Sequence, residues 1–279
     1  MLVTMEELLK DAEERKYAVG LFNHLNLEMA RGIVEAAEET HSPIILGVAE
    51  VHFPTNPFPY AAMMMKQLAH NAKVPVCLHL DHGTDLQKIY NAIKAGFTSV
   101  MYDGSALPYE ENIKNTRLIS QVAHPLGISV EAELGHVGMG DNVADFNSDD
   151  QYTKVEQVND FIDRADVDAL AVAIGTAHGA YTVKPKLDIN RLAEIYAVAK
   201  KPLVLHGGSG LTDEDFRNTI KNGIRKVNIC TEMCVAAHEA YTYTYNKHLN
   251  FEIAIQTATQ VVKEVVKNRI RLFGSENKA

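Results

Sequence analysis

The sequence predicts an α/β fold of the (β/α)8 type, a closed TIM barrel of parallel strands with one extra helix at the C-terminus. Two observations support this prediction. Short runs rich in β-branched residues alternate with longer amphipathic stretches along the whole chain, and eight such units within about 250 residues are typical of this barrel. The 279 residues, 46% of them hydrophobic, can also form one large core. We therefore expect residues 1–279 to be a single domain.

The predicted elements follow from hydrophobic periodicity. In chain order, the predicted strands are Ala18–Phe22, Pro43–Val48, Val74–Leu80, Thr98–Tyr102, Gly127–Glu133, Asp168–Ile174, Pro202–Leu205 and Arg225–Ile229. The predicted helices between them include Glu28–Glu39, Asp85–Lys94, Tyr109–Val122, Val155–Arg164, Asn190–Ala199 and Asp213–Lys221. Ile253–Phe273 then predicts a further helix beyond the eight units.

An open, doubly wound sheet would show the same alternation of strands and helices. The first predicted strand is not followed by the Gly-x-Gly-x-x-Gly signature of a dinucleotide-binding fold. No linker or low-complexity segment interrupts the pattern. These observations favour the closed barrel.

Composition excludes several functional classes. The longest apolar runs, such as Ala169–Ile174, are far shorter than the ~20 residues that a membrane-spanning helix needs. The formal net charge of -9 argues against a nucleic-acid partner. Residues Met1–Lys10 lack the pattern of a secretory leader, and three cysteines, Cys77, Cys230 and Cys234, suit a reducing compartment. The sequence therefore predicts a cytoplasmic protein.

Three histidines follow predicted strands. His82 follows the third strand, His178 follows the sixth and His206 follows the seventh. In a barrel of parallel strands these positions meet at one end. Three imidazoles with an open fourth position form a typical catalytic zinc site. The sequence therefore predicts a zinc centre that can also bind substrate or water.

Carboxylates lie beside these histidines. Asp81 precedes His82 and either orients an imidazole or transfers a proton to the substrate; the sequence leaves both roles open. Glu131 and Glu133 alternate along the fifth strand and therefore point to the same side. One of them is a candidate fourth or alternate metal ligand.

Two loops at the same end predict a phosphate site. The seventh strand leads into Gly207-Gly208-Ser209-Gly210, and the eighth leads into Asn228-Ile229-Cys230-Thr231. Barrels often bind phosphate at these two loops, where backbone N–H groups and a helix N-terminus meet the anion. The glycines allow close approach of the backbone, and Ser209 and Thr231 add hydroxyl donors.

Together these residues resemble the class II, zinc-dependent ketose-phosphate aldolases, which include fructose- and tagatose-bisphosphate aldolases. The matching segments are Phe22-Asn23, Leu78–Gly83, Met101–Ser105, Glu131–Gly135, Ala171–Gly179, Leu205–Gly210, Lys226–Glu232 and Phe273-Gly274-Ser275. The resemblance implies reversible cleavage of a ketose 1-phosphate or ketose 1,6-bisphosphate to dihydroxyacetone phosphate and an aldehyde. It also implies a homo-oligomer, a dimer or a tetramer.

The resemblance also implies roles for individual positions. The zinc ligands are expected to be His82, His178 and His206, with Glu133 near an alternate metal position. Asp81 is expected to exchange a proton with the oxygen of the aldehyde carbon, and Asp141 falls where a Glu moves the carbon-bound proton of the donor. The expected substrate-binding positions, where the family also binds a monovalent cation (Na⁺ or K⁺), are Asn23, Gly179, Gly207, Gly208, Ser209, Asn228, Ile229, Cys230 and Thr231.

One departure from the family concerns the far end of the substrate. Bisphosphate aldolases of this family contact the distal phosphate with an arginine that precedes the final helix, and a gapless count places Glu252 there. A carboxylate repels a phosphate by at least ~1 kcal/mol at 4 Å even in water. This departure predicts an aldehyde product without a terminal phosphate, unless Arg269 or Arg271 supplies the contact.

Two other functions remain as alternatives. A zinc hydrolase on the same barrel generally has His-x-His on its first strand, whereas this chain has Phe22-Asn23-His24. A non-catalytic subunit that stabilises a partner aldolase would not need Asp81 and the three histidines. Both alternatives are therefore less consistent with the sequence than an aldolase.

Overall fold

The computed structural model describes residues 1–139, 151–179, 181 and 185–279. Eight parallel strands close into a barrel, which confirms the predicted fold. The barrel strands are β1 (Val19–Asn23), β2 (Ile44–Ala49), β3 (Val76–Gly83), β4 (Ser99–Tyr102), β5 (Ser129–Leu134), β7 (Ala169–Val172), β9 (Leu203–Leu205) and β10 (Ile224–Ile229). Two short strands, β6 (Gly138–Met139) and β8 (Ala177–His178), pair with each other outside the barrel.

Helices cover the outer face of the barrel and, in the case of α1, its N-terminal end. They are α1 (Met5–Arg15), α2 (Leu27–Glu39), α3 (Phe58–Asn71), α4 (Leu86–Ala95), α5 (Tyr109–Ala123), α6 (Val158–Ala165), α7 (Ile189–Val198), α8 (Asp213–Lys221), α9 (Thr231–Asn246) and α10 (Phe251–Phe273). The predicted helix Val155–Arg164 begins as a 3₁₀ turn and becomes α-helical at Val158. The extra C-terminal helix α10 packs against α2 and α9.

Strand alternation divides the interior into an outer shell and a lumen. On β3, Val76, Leu78 and Leu80 belong to the apolar shell beneath the helices. Cys77 belongs to a second apolar cluster inside the barrel, and successive side chains of a strand point to opposite faces. The sequence of β3 therefore places apolar groups outward and directs its polar groups into the lumen.

Helix α1 closes the N-terminal end of the barrel. Its N-cap, Thr4, forms a capping box with Glu7, which fixes the start of the helix. The apolar side chains of α1 that pack against the lumen are Met5, Leu8, Leu9 and Ala12. Apolar groups of α1 therefore close the N-terminal end of the barrel.

The longest described helix is α10, with 23 residues. Among the described residues, no helix combines the length and the apolar character that crossing a bilayer requires.

Candidate metal centre and active site

Three histidines and one glutamate converge at the C-terminal end of the barrel. One potential ligand atom from each of His82, Glu133, His178 and His206 lies within 4.8 Å of the others. The ring of His82 lies 4.6 Å from that of His178 and 4.5 Å from that of His206, measured between centroids. The four predicted metal-site residues are thus brought together.

The backbone around His82 explains its orientation. The pairing of β3 with β4 shifts register between Leu80 and Gly83, and His82 has a φ of 48°. A non-glycine residue in this region is strained and is typical of functional sites. Gly83 has no room for a side chain, since a Cβ would lie 2.7 Å from the carbonyl oxygen of Met101. The irregularity turns the imidazole of His82 toward the other two.

Carboxylates hold the far nitrogens of two histidines. His82 donates from Nδ1 to Asp103 at 2.7 Å, and His206 donates from Nε2 to Glu131 at 2.9 Å. The Nε2 of His82 is buried without a hydrogen-bond partner in the described part of the chain. The Nδ1 of His206 meets Glu133 at 3.0 Å. Metal-binding histidines typically have their second nitrogen fixed in this way, so these residues fit a bound metal.

Burial and neighbouring charges shift the pKa values of the clustered histidines. Burial and the neighbouring His82 and His206 hold the pKa of His178 well below its usual range. Burial also opposes the charge on His82, but Asp81 and Asp103 outweigh it and raise the pKa of His82 to about 10. A metal dication would displace protons here, because ligand histidines must be deprotonated on the binding nitrogen.

Asp81 lies beside this cluster and is held by two amides. It accepts hydrogen bonds from Asn23 Nδ2 at 2.7 Å and from Asn228 Nδ2 at 2.9 Å. Burial alone would raise its pKa, but the positive charges of His82 and His206 hold that pKa well below the usual range. Asp81 is therefore an ionised, oriented carboxylate.

The sequence left open whether Asp81 orients an imidazole or transfers a proton, and in the structure Asp103 orients the imidazole of His82. The carboxylate that orients the His82 ring belongs to Asp103, at the end of β4. Sequence reasoning did not assign Asp103 this role, although the residue lies within the matching segment Met101–Ser105. An imidazole can donate only one hydrogen bond from Nδ1, so the proton-transfer role remains the better hypothesis for Asp81.

The glycine loop after β9 approaches neighbouring backbone very closely. Gly207 has a φ of 66°, and a Cβ there would lie 2.3 Å from the carbonyl oxygen of Ala177. Tyr181 fixes this contact, because its hydroxyl accepts from Ala177 N at 2.9 Å and donates to Gly207 O at 2.7 Å. The loops that carry His178 and His206 are therefore tied together. Gly179, directly after His178, also has a positive φ of 83°.

The two predicted phosphate loops adjoin at the start of α9. Ser209 accepts from the backbone N–H of Cys230 at 3.3 Å, and α9 begins at Thr231. Helix N-termini and exposed backbone N–H groups favour anions. A Cβ on Gly208 would lie 2.9 Å from Asn228 O, which explains the glycine. Ile229 is a buried shell residue between these groups.

Asp141 lies outside the described residues. Asn23 and Asn228, predicted as substrate contacts, donate to Asp81, while Asn23 Oδ1 is buried without a hydrogen-bond partner among the described residues.

Known proteins resemble this chain over its full length. Residues 3–278 match the family described as fructose-bisphosphate aldolase class-II. A fructose-bisphosphate aldolase of Staphylococcus epidermidis is 40% identical, covering 100% of this chain and 99% of the relative. The crystal structure of the YdjI aldolase from Escherichia coli K12 has a TM-score of 0.91 and 38% identity, with 100% of both chains covered. The chain therefore belongs to the class II fructose-bisphosphate aldolase family and is a lyase.

Proposed function

We propose that this protein is a zinc-dependent aldolase that reversibly cleaves a ketose phosphate to dihydroxyacetone phosphate and an aldehyde. The observation that carries the proposal is the group of four ligand atoms within 4.8 Å of one another. The buried carboxylate of Asp81 lies beside this group, and the two loops at the start of α9 follow β9 and β10. Metal, proton-transfer and phosphate sites at one barrel end are the parts that the reaction needs.

The proposed metal ligands are His82, His178 and His206, with Glu133 as the alternate ligand. Imidazole nitrogens with one carboxylate suit zinc among the common divalent ions. When bound, zinc supplies a Lewis acid for negative charge that develops on substrate oxygens. No lysine nucleophile is then required.

The protein groups supply binding and proton transfer. Asp81 is ionised, so it can accept the proton of the substrate hydroxyl in cleavage and return it in condensation. Its orientation is fixed by Asn23 and Asn228 before the substrate arrives. We assign the 1-phosphate to the loops Gly207–Gly210 and Asn228–Thr231. A monovalent cation, Na⁺ or K⁺, is proposed at the same loops, and Asp141 is proposed to move the carbon-bound proton.

We propose that the aldehyde half has no terminal phosphate. The two arginines that could have replaced the missing family arginine are engaged within the chain. Arg269 donates from Nε to Glu232 at 2.6 Å, and Arg271 donates from Nε to Glu276 at 3.1 Å. The expected substrate is therefore a ketose 1-phosphate whose distal carbons carry hydroxyl groups.

A cleavage screen across ketose 1-phosphates and ketose bisphosphates tests this function. Dihydroxyacetone phosphate is detected with a coupled dehydrogenase, and kcat/KM is compared between each 1-phosphate and its bisphosphate. A higher value for the bisphosphate would contradict the unphosphorylated tail. Failure to release dihydroxyacetone phosphate from any member would contradict the aldolase assignment.

The metal assignment is tested separately by metal content. We expect His178→Ala to bind less than one-tenth of the wild-type zinc after dialysis against a weak chelator, because an open site has no spare ligand of equal quality. The control is His238→Ala, which changes an exposed histidine of α9. Equal zinc content in wild type and His178→Ala would overturn the assignment. A wild-type protein that never binds metal would favour the non-catalytic subunit.

We also propose that residues 1–279 act as one catalytic domain within a homo-oligomer. Large apolar side chains are exposed where α9 leads into α10, with Tyr245 at 81% and Phe251 at 73% exposure. Exposed apolar patches often mark protein–protein contacts. Light scattering after size-exclusion chromatography should give the mass of a dimer or a tetramer.

A further inference from the structure

A lysine lies in the barrel lumen beneath the candidate metal centre. Lys226 of β10 is fully buried, as is Glu131 on β5. A buried ammonium is strongly unfavourable unless it is paired and hydrogen-bonded. Its presence therefore requires an explanation beyond packing. Lys226 lies in the predicted strand Arg225–Ile229, but the sequence alone gives no partner for its charge.

The ammonium of Lys226 donates two hydrogen bonds and forms a close ion pair with the carboxylate of Glu131. Its Nζ lies 3.0 Å from Glu131 Oε1, 2.9 Å from Glu131 Oε2 and 2.7 Å from Asn228 Oδ1. A lysine can donate three hydrogen bonds and accept none. Lys226 is thus placed to orient its neighbours and is not free to act as a nucleophile.

Each neighbour of Lys226 contacts a different part of the site. Glu131 accepts from Nε2 of His206, whose other nitrogen faces the metal centre. Asn228 directs Oδ1 to the ammonium and Nδ2 to Asp81. The side-chain amide of Asn228 has one acceptor, Oδ1, and one donor group, Nδ2. The hydrogen bond from Lys226 to Oδ1 therefore directs Nδ2 toward the carboxylate of Asp81.

We propose that Lys226 is a positioning residue that simultaneously orients the metal ligand His206, through Glu131, and the proton-transfer group Asp81, through Asn228. This inference rests on the proposed function. Without the ammonium, the buried carboxylate of Glu131 loses its positively charged partner and keeps only the hydrogen bond from His206. Asn228 also loses the partner of Oδ1 and can turn that oxygen toward Asp81, where it repels the carboxylate.

The principal test compares Lys226→Met with wild type in two measurements. Zinc affinity is measured by competition with a chromophoric chelator, and the pH profile of kcat is measured at saturating zinc. We expect zinc binding to weaken by about 10- to 100-fold, as is typical when the support of a ligand histidine is removed, and the acidic limb of the kcat profile to shift. Lys94→Met, at an exposed lysine of α4, is the control and should change neither.

Variants of Glu131 alone or of Asn228 alone separate the effect on zinc binding from the effect on Asp81. Glu131→Gln should weaken zinc binding while largely preserving the pH profile, whereas Asn228→Ala should alter the profile and preserve zinc affinity. Lys226→Arg keeps the positive charge and should recover part of the zinc affinity lost in Lys226→Met. This comparison remains informative even if the methionine variant folds poorly.

The outcomes are distinct from those that test the proposed function. Zinc affinity needs no substrate, so it reports on Lys226 even if the cleavage screen fails. A folded Lys226→Met variant with wild-type zinc affinity and an unchanged pH profile would overturn the inference. Recovery of zinc affinity in Lys226→Arg, with loss in Lys226→Met, would support it.

Discussion

Asp81 is fixed by partners on two different strands, and both of its oxygens are occupied before any substrate is present. Asn23 reaches it from β1 and Asn228 reaches it from β10. Burial in this position would favour the neutral acid, yet the positive charges of His82 and His206, which a bound metal dication would replace, hold the pKa of Asp81 well below its usual range. The carboxylate is therefore preorganised for its proposed role as a base, with none of the reorientation that a free side chain would need.

We predict that Asp81→Asn retains zinc and lowers kcat by about 100-fold or more, as is typical when a positioned proton-transfer group is removed. The hydrogen-bonding groups around the residue are both amide donors, so the new amide can satisfy only one of them. Metal content by mass spectrometry and steady-state kinetics on the same preparation check the result. Loss of zinc in this variant would instead make Asp81 a support for the metal ligands.

Local sequence identified the histidines but not their supports. His82, His178 and His206 could be found because each follows a predicted strand, and parallel topology then brings them together. Asp103 and Lys226 could not be found in this way. Their partners come from other strands, and such a pairing depends on the register around the barrel. No spacing along the chain encodes it.

At the scale of elements, the predicted strands are confirmed with shifted ends. The third strand continues past Leu80 to Gly83, so its irregular end carries His82. The sixth predicted strand, Asp168–Ile174, ends its ladder at Val172. The next residue, Ala173, instead donates a hydrogen bond from its backbone N–H to Thr153 Oγ1 at 2.8 Å. Periodicity cannot detect such an exchange of partners, because the residues remain apolar and buried.

Gly207 and Gly127 allow a matched test of the glycine loop. Their φ angles are similar, at 66° and 69°, but a Cβ at Gly127 would meet nothing within 4 Å. We predict that Gly207→Ala displaces the loop and raises KM for the ketose phosphate by about tenfold or more, since one hydrogen bond to a charged group is worth about 1.5–3 kcal/mol. Gly127→Ala should lower stability by only about 1 kcal/mol.

Initial-rate kinetics and thermal unfolding of both variants check this prediction. A similar rise in KM in both variants would show that the positive φ alone causes the effect, and not the close contact of Gly207 with Ala177. An unchanged KM in Gly207→Ala would contradict the assignment of this loop to the phosphate.

At the scale of the whole molecule, the fold creates a histidine that must stay neutral. His24 is fully buried and donates from Nδ1 to Gly47 O at 2.9 Å. Its Nε2 has no hydrogen-bond partner in the described ranges. Burial is the main reason that the pKa of His24 falls from 6.5 to about 4. The unfolded chain therefore binds a proton here more readily than the folded protein does.

We predict that this linkage reduces stability as pH falls from about 6.5 to about 4, by on the order of 3 kcal/mol when complete. Above pH 6.5 both states are neutral at this site, so stability there is unaffected. Urea unfolding at several pH values, compared between wild type and His24→Gln, isolates the contribution. His238→Gln, at an exposed position, is the control. Parallel stability curves for wild type and His24→Gln would contradict the prediction.

Closure of the barrel has a consequence for the order of folding. The last strand, β10, pairs with the first, β1, through contacts such as Val19 with Lys226 and Phe22 with Ile229. Contacts between residues so distant along the chain form slowly, and proteins of this size commonly fold through intermediates. Because Asn23 and Asn228 hold Asp81 from the two sides of this junction, the proposed base is held in place only when the barrel closes.

Recovery of enzyme activity should therefore report on the final step of refolding. After dilution from urea with zinc present, we expect helical circular dichroism to return before cleavage of the ketose phosphate. An Asn23→Ala variant should regain its helices at the wild-type rate and yet reach a lower final activity. Simultaneous return of both signals in wild type would show that the strands of the barrel, including its closing pair, form in one cooperative step.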